Sequence, residues 1–313
     1  MPLNIVKNVA RVAGVFLVVT FATFALMYGN GPGVARATLG MDASEEDVAR
    51  RVVELGLDRP LIVQYLDWLG GAFTGDLGNS YFTGQSVTSA LQTRVPVTLT
   101  LVILTLLLTA VFSVLFGVIA AIRGGGTDRV VQLVSVLGAA VPAFIVAIVL
   151  VFTFAVGWQV LPATGYVRPG ESVLGWLESV ILPVIALLVG AVAGAAAQFR
   201  TAVLDTASKD FVRTLRSRGI SERAVVWRHV LRNSAGPGMI ALSLTVIALL
   251  GGAIFVEQVF ALPGMGQLAV LSSTTGDVPM VMGTVLVTVL IVIVVNFLAD
   301  LATYFLNPKA RAR

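Results

Sequence analysis

Six long stretches free of Asp, Glu, Lys and Arg constrain this chain more than any other feature: 12–35, 95–122, 130–167, 179–199, 233–256 and 278–299. A bilayer core about 30 Å thick takes about 20 mostly apolar residues per helix, so each stretch is long enough to cross once. The third could hold two short spans. Gly157, Pro162, Gly165 and the Trp158-Gln159 pair favour a single span followed by an interfacial exit. Strands of a transmembrane barrel run about ten residues and alternate polar with apolar positions. These stretches are longer and uniformly apolar, so they read as helices. With 57% hydrophobic and 12% charged residues, against about 25% charged in soluble domains, a water-soluble enzyme is excluded. The chain has no Cys, which removes disulfides, thiolate metal sites and thiol nucleophiles. A single histidine, His229, argues against a His-based metal site or a Ser-His triad.

Charge placement sets the orientation. With a cytoplasmic N-terminus, the inside pieces hold 15 of the 21 Lys and Arg, and the outside pieces hold 12 of the 17 acids. The expectation is six spans with both termini inside. Lys7 and Arg11 ahead of an apolar run, with Val34–Ala37 loosely resembling a cleavage site, raise a signal peptide. The run is long for that, and an uncleaved first span is the reading.

Two segments are too polar to span. The outer one, residues 36–94, carries eight acids. Ser44 before Glu45, Glu46 and Asp47 marks a helix start, because Ser caps free N–H groups and acids suit the positive helix end. Val48, Val52 and Leu55 share a face; Arg59-Pro60 ends the helix; Leu61, Tyr65, Trp68 and Leu69 begin a second amphipathic one. Asp76-Leu77-Gly78 reads as a turn. The expected product is a small helical cap, either packing on the bundle or docking an external partner.

The inner segment, residues 200–232, packs eight bases into one loop. Phe199, Val203, Ala207, Phe211 and Leu215 recur at i+4 as one apolar stripe, with Lys209, Arg213, Arg216 and Arg218 off it. Gly219 permits a turn, Ser221 and Glu222 open a second helix, and Ile220, Ala224, Trp227 and Leu231 form its apolar face. Two short amphipathic helices are therefore expected, serving as a lipid-facing surface or as a protein-docking element. His229 reads as a structural polar residue at the loop's end. Glu257 and Asp300 lie near span ends, where snorkelling or pairing with Arg is expected. Gly190, Ala193, Gly194 and Ala197 favour close helix approach.

The chain resembles, from end to end, the integral-membrane permeases of bacterial ABC importers of the dipeptide/oligopeptide family. Leu55-Gly56-Leu57-Asp58-Arg59-Pro60-Leu61 and Gly75-Asp76-Leu77-Gly78 are similar to that family's external segment. Asp210-Phe211-Val212-Arg213-Thr214-Leu215-Arg216-Ser217-Arg218-Gly219, then Glu222-Arg223 and Arg228-His229-Val230-Leu231-Arg232-Asn233, resemble its cytoplasmic coupling loop. Gly251-Gly252, Glu257-Gln258-Val259-Phe260 and Pro263-Gly264-Met265-Gly266 resemble its last external turn, and Asn307-Pro308-Lys309 its C-terminal motif. Leu215 stands where the family usually has Ala and Arg218 where it has Lys. Tyr28-Gly29-Asn30-Gly31-Pro32-Gly33 replaces a common Leu-Pro-Gly-Asp-Pro run.

The resemblance implies an all-α polytopic protein of the type I importer fold, in the bacterial inner membrane, with an external insertion between spans 1 and 2. The implied organisation is residues 1–35 as N-terminus and first span, 36–94 as external cap, and 95–313 as five-span core. It also implies a second homologous permease subunit, two cytoplasmic ATPase subunits or domains that hold ATP and Mg, an external substrate-binding protein and a peptide substrate. The implied ATPase-coupling residues are Asp210, Phe211, Arg213, Thr214, Leu215, Arg216, Arg218, Gly219, Glu222 and His229. The implied gate candidates are Glu257, Phe260, Pro263, Gly264 and Gly266. No Gly-x-x-x-x-Gly-Lys-[Ser/Thr] motif is present, so the chain is expected to bind no cofactor itself, to leave nucleotide hydrolysis to partner subunits and to bind no nucleic acid. Other solutes carried by the same family (nickel chelates, haem, glutathione) and a self-sufficient secondary transporter are the alternative readings. Span centres nearly free of ionisable groups count against the last of these.

Overall fold

The computed structural model describes residues 2–29, 31–40 and 42–306. The C-terminal Asn307-Pro308-Lys309 motif and Asn30 of the 28–33 run lie outside the described residues. The elements are helical: α1 (Pro2–Met27), α2 (Gly31–Leu39), α3 (Glu45–Glu54), α4 (Leu61–Thr74), α5 (Val87–Arg123), α6 (Gly125–Ala140) and α7 (Ala143–Leu150, continued as a π-helical turn over Val151–Gly157). Then follow α8 (Val173–Ala207), α9 (Asp210–Ser217), α10 (Glu222–Ala224, continued by a π-helical segment over Val225–Val230), α11 (Leu231–Val259), α12 (Met265–Thr275) and α13 (Val278–Leu306). Among the described residues five helices are long and apolar enough to cross a membrane, and α6 with α7 makes a sixth crossing if the bent pair counts as one.

Two expected boundaries move. The first apolar stretch does not run unbroken to Ala35. Helix α1 ends at Met27, Gly29 takes φ 104°, and Val34 and Ala35 are buried in the separate α2. Hydropathy carried across this junction because no charge interrupts it; the break is a backbone event. The third stretch is one apolar run but not one straight helix. It bends by 91° between α6 and α7, where Val141 is extended and Pro142 caps α7. Proline disfavours helical dihedrals in the residue before it, and that is the local cause. The expected exit is present: the helix ends at Gly157 and Gln159 adopts φ 53°.

The chain clusters into two compact units, residues 1–97 with 263–293, and residues 98–262 with 294–313. In the first, the capping read from the sequence holds: Ser44 Oγ accepts from Asp47 N at 3.1 Å, and Gly78 N donates to Asp76 Oδ1 at 2.9 Å. Helix α4 rests on α1. Tyr65 is buried, its hydroxyl lies 2.9 Å from Thr20 Oγ1, and Phe21 and Phe24 meet its ring edge-on at 5.2 and 5.8 Å. Such pairs add about 0.5–1.5 kcal/mol beyond area burial. The external segment therefore contributes to packing, while the acids of α3 stay exposed.

Asp277, passed over in the sequence, organises the loop before α5. Ser80 Oγ donates to its Oδ2 at 2.5 Å, and Tyr81 N donates to its Oδ1 at 3.2 Å. Burial, with the Asp277 charge adding to it, pushes the Tyr81 hydroxyl up to about 12, so Tyr81 stays neutral at physiological pH.

In the second unit α8 is the central element. Gly138 of α6 sits against it so closely that a Cβ there would stand 3.0 Å from Ala193 Cβ, and a Cβ on Gly190 would meet the Gly138 carbonyl at 3.7 Å. Gly190 and Ala193 therefore serve the close approach expected of them. A Cβ on Gly194 would meet nothing within 4 Å and Ala197 is exposed, so that half of the small-residue set faces outward.

Candidate functional site

The cytoplasmic segment is built on a valine core. Val118 of α5, Val203 of α8, Val212 of α9, and Val225, Val226 and Val230 of the π-helical segment bury one another, with Leu215, Ile220 and Leu231 partly covered at the edge. Ser234 reinforces the base: its hydroxyl lies 3.0 Å from the Ala202 carbonyl, 2.9 Å from the Val230 carbonyl and 3.0 Å from Thr206 Oγ1. Helix α9 is thus a short element held through Val212 and Leu215, with its other side in solvent.

The expected pair of short helices is corrected in two respects. The i+4 stripe holds in part: Val203, Ala207 and Leu215 meet the same valine core, and Phe211 leaves it. Each i+4 step drifts about 40° around a 3.6-residue helix, and α8 stops at Ala207 before α9 starts at Asp210. Phe199 and Val203 are buried, but Phe211 is 38% exposed and Val212 takes the inward position. The second helix is not short or separate either: α10, the π-helical segment and α11 run on from Glu222 to Val259. Its buried residues are Val225, Val226 and Val230, whereas Trp227 is 58% exposed. The π-helical segment explains this, since i→i+5 bonding puts positions five apart, Val225 and Val230, on the same side.

Between the helices Gly219 has φ 75°. Gly219 N donates to Arg216 O at 3.0 Å and Ile220 N to Leu215 O at 3.3 Å, the paired bonds that close a helix C-terminus through a left-handed residue. Arg216 reaches over this turn to Glu222, with Nε to Oε2 at 2.9 Å and Nη2 to Oε1 at 2.6 Å. Those two charges brace the turn. Arg213 and Arg218 point into solvent; Arg213 is 78% exposed and meets only the exposed Asp210, at 3.8 Å. Asp210 opens α9 beside its positive end, Thr214 Oγ1 bonds back to Asp210 O, and half-buried His229 accepts from Asn233 Nδ2 on its carbonyl at 2.7 Å. A Cβ on Gly219 would touch nothing within 4 Å, so Gly219→Ala tests conformation alone. It is expected to cost about 1–2 kcal/mol, with Gly219→Asn milder, read as a lower thermal inactivation midpoint of the detergent-solubilised chain.

A second clasp was not legible in the sequence. Arg200, at the inner end of α8, forks onto Asp128 in the first turn of α6 through Nε and Nη2, the latter at 2.6 Å from Oδ2, and Gln132 Nε2 donates to the same carboxylate at 2.9 Å. The two side chains are 21% and 17% exposed. The partners lie 72 residues apart, beyond the reach of any periodicity argument.

At the outer end of α11, Glu257 neither snorkels nor lies open. It is fully buried and accepts from Thr98 Oγ1 at 2.5 Å. The helix closes with Ala261 at φ 48°; Ala261 N donates to Gln258 O and Leu262 N to Glu257 O at 2.9 Å. Phe260 is buried, and its carbonyl accepts from Gly165 N at 3.0 Å. Pro263 is exposed, Gly264 caps α12, and Gly264 and Gly266 are buried in the other compact unit. Asp300 is exposed.

Apolar helices of spanning length with a bent third crossing, and a short basic element mounted on a buried valine base between α8 and α11, define a multi-pass helical membrane protein. Comparison with known proteins agrees. Residues 113–312 match the model of the binding-protein-dependent transport system inner membrane component, and residues 1–105 match its N-terminal companion. A Brucella abortus (strain 2308) protein named as a peptide transport system permease is 37% identical over 310 residues, 98% of each chain. The oligopeptide transport system permease AppB of Bacillus subtilis (strain 168) is 30% identical over 315 residues, 99% of each chain. A chain of the MetNI methionine ABC transporter, solved in inward-facing conformations, superposes with TM-score 0.57 at 20% identity, covering 70% of this chain and 97% of that one, a likeness of fold. The chain belongs to the family of binding-protein-dependent transport system inner membrane components, and it is a permease component of an ABC importer.

Proposed function

We propose that this chain forms half of a translocation pathway for di- and oligopeptides across the bacterial cytoplasmic membrane. It pairs with a second homologous permease, receives substrate from an external binding protein and is driven by two cytoplasmic ATPase subunits or domains that hold ATP and Mg. The names of the curated relatives support the peptide reading. The geometry of α9 supports the coupling reading. That helix is fixed from below through the buried Val212 and leaves Phe211, Arg213 and Arg218 exposed on one short rigid element. A helix so mounted fits a protein groove and transmits displacement. Arg213 and Arg218, both exposed, are the charges of α9 and its C-cap that meet acidic groups on the ATPase; Arg216 and Glu222 keep the turn in shape. At the outer end of α11, Glu257 and Phe260 are the gate candidates in this unit, and Pro263, Gly264 and Gly266 are those in the other.

The test is Arg213→Glu/Arg218→Glu in cells carrying the whole transport system. Peptide uptake is expected to fall at least tenfold with membrane abundance unchanged, because both side chains are exposed, and Arg213→Lys/Arg218→Lys is expected to retain most uptake. Uptake at the normal rate in the charge-reversed variant would remove α9 from the coupling role.

A further inference from the structure

A cleft of about 440 Å³ opens in the second compact unit where α8 ends and α11 begins, lined by Gln198, Thr201, Asp205, Lys209, Asn233 and Pro237 among others. Its volume is within the usual range of small-ligand sites, about 300–1,000 Å³. Positive-inside sorting puts it on the cytoplasmic side. We propose that this cleft is an exit-side binding site for the charged ends of a short peptide. Asp205 with the Asn233 carbonyl takes the terminal ammonium, and Lys209 takes the terminal carboxylate.

Three observations carry the assignment. Asp205 near the end of α8 and Lys209, the extended residue that precedes α9, both line the cleft, and no ion pair joins them among the described residues. Opposite charges presented separately across a small cleft match a zwitterion. Pro237 within α11 has no N–H, so the Asn233 carbonyl lacks its usual α-helical donor. Finally, the Asn233 side chain spends its amide on His229 O, which fixes the residue at the rim. The site rests on the peptide reading above and deepens it by naming where this chain would hold the termini.

The absence of cysteine makes the test direct. Thr201→Cys in the full-length chain, in membrane vesicles, gives one thiol in the cleft whose alkylation rate is measured. Trialanine is expected to slow labelling at least threefold, while N-acetyl-trialanine amide, which lacks charged ends, does not. Asp205→Asn or Lys209→Gln added to the reporter is expected to abolish protection. Equal protection by the capped peptide, protection that survives both substitutions, or no protection by trialanine would overturn the site. Trialanine uptake by cells carrying the whole system separates the two failures. Normal uptake in Asp205→Asn/Lys209→Gln removes the cleft but keeps peptide import, and no uptake of trialanine or longer peptides by the unmodified system removes the peptide reading itself.

Discussion

Replacing Gly117 by Ala should cost about 2–3 kcal/mol and should not be rescued by trimming any neighbouring side chain. A Cβ at Gly117 would stand 2.9 Å from Arg200 N, 2.9 Å from Phe199 Cβ and 3.0 Å from Ala196 O. Two of these are main-chain atoms of α8, so relief requires α5 and α8 to separate, and overpacking that moves backbone sits at the upper end of its usual cost. Gly238 of α11 offers the contrast. Its Cβ would meet the Phe199 ring at 2.3 and 2.5 Å, a side chain 6% exposed that fills the slot between α5, α8 and α11. Gly238→Ala should also destabilise, but adding Phe199→Leu should recover most of the loss, whereas Gly117→Ala/Phe199→Leu should be worse than either change alone. Gly194→Ala, with open space around it, is the neutral control. Thermal inactivation half-lives in detergent, supported by proteolysis of the vesicle-embedded chain, give the ranking; rescue of Gly117→Ala by Phe199→Leu would contradict the backbone contact.

Breaking the Asp128–Arg200 clasp should be the second large effect. Arg200→Ala leaves a carboxylate that is 17% exposed with only Gln132 to satisfy it. Removing one partner of a fully buried pair costs about 3–5 kcal/mol, and exposed pairs are worth about 0–1 kcal/mol. For this partly covered site a loss well short of the buried-pair cost is expected, read as a shorter thermal inactivation half-life. Arg200→Lys should recover part of it, because lysine keeps the charge but not the fork. The double variant Asp128→Asn/Arg200→Gln should lose less than the sum of the single changes, since no uncompensated charge remains. Strict additivity in that cycle would mean that the two side chains do not act on each other.

Much of this architecture is written in the sequence because the bilayer imposes it. A helix crossing lipid must be apolar over a fixed length, and basic residues stay on one side, so the crossings and the basic loop are visible in charge spacing alone. The turn at Gly219 and the cap at Ser44 are also local and legible. What escaped was whatever departs from a uniform 3.6-residue period or joins distant residues. The π-helical segment moved burial from Trp227 to Val226 and Val230. The right-angled bend at Pro142 lay inside an unbroken apolar run. Phe199's slot needs two glycines, one 82 residues before it and the other 39 after it. The Asp128–Arg200 fork pairs an acid and a base that each read as ordinary loop charges. Glu257 was placed at a span end by position, but only tertiary structure buries it.

The continuous helix from Glu222 to Val259 changes how motion must be counted between the two faces of the membrane. Helices resist stretching far more than bending, so the end braced to Arg216 and the end carrying Glu257 cannot travel independently. At about 1.5 Å per residue the rod reaches across the whole bilayer. Whatever displaces Glu222 must therefore either arrive at Glu257 or be absorbed at one of two soft places, the π-helical segment over Val225–Val230 and the missing bond at Pro237. If α9 is the coupling element proposed above, the stiffness of those two places would set how much of an inner stroke becomes an outer one, which would make this helix the protein's gear ratio.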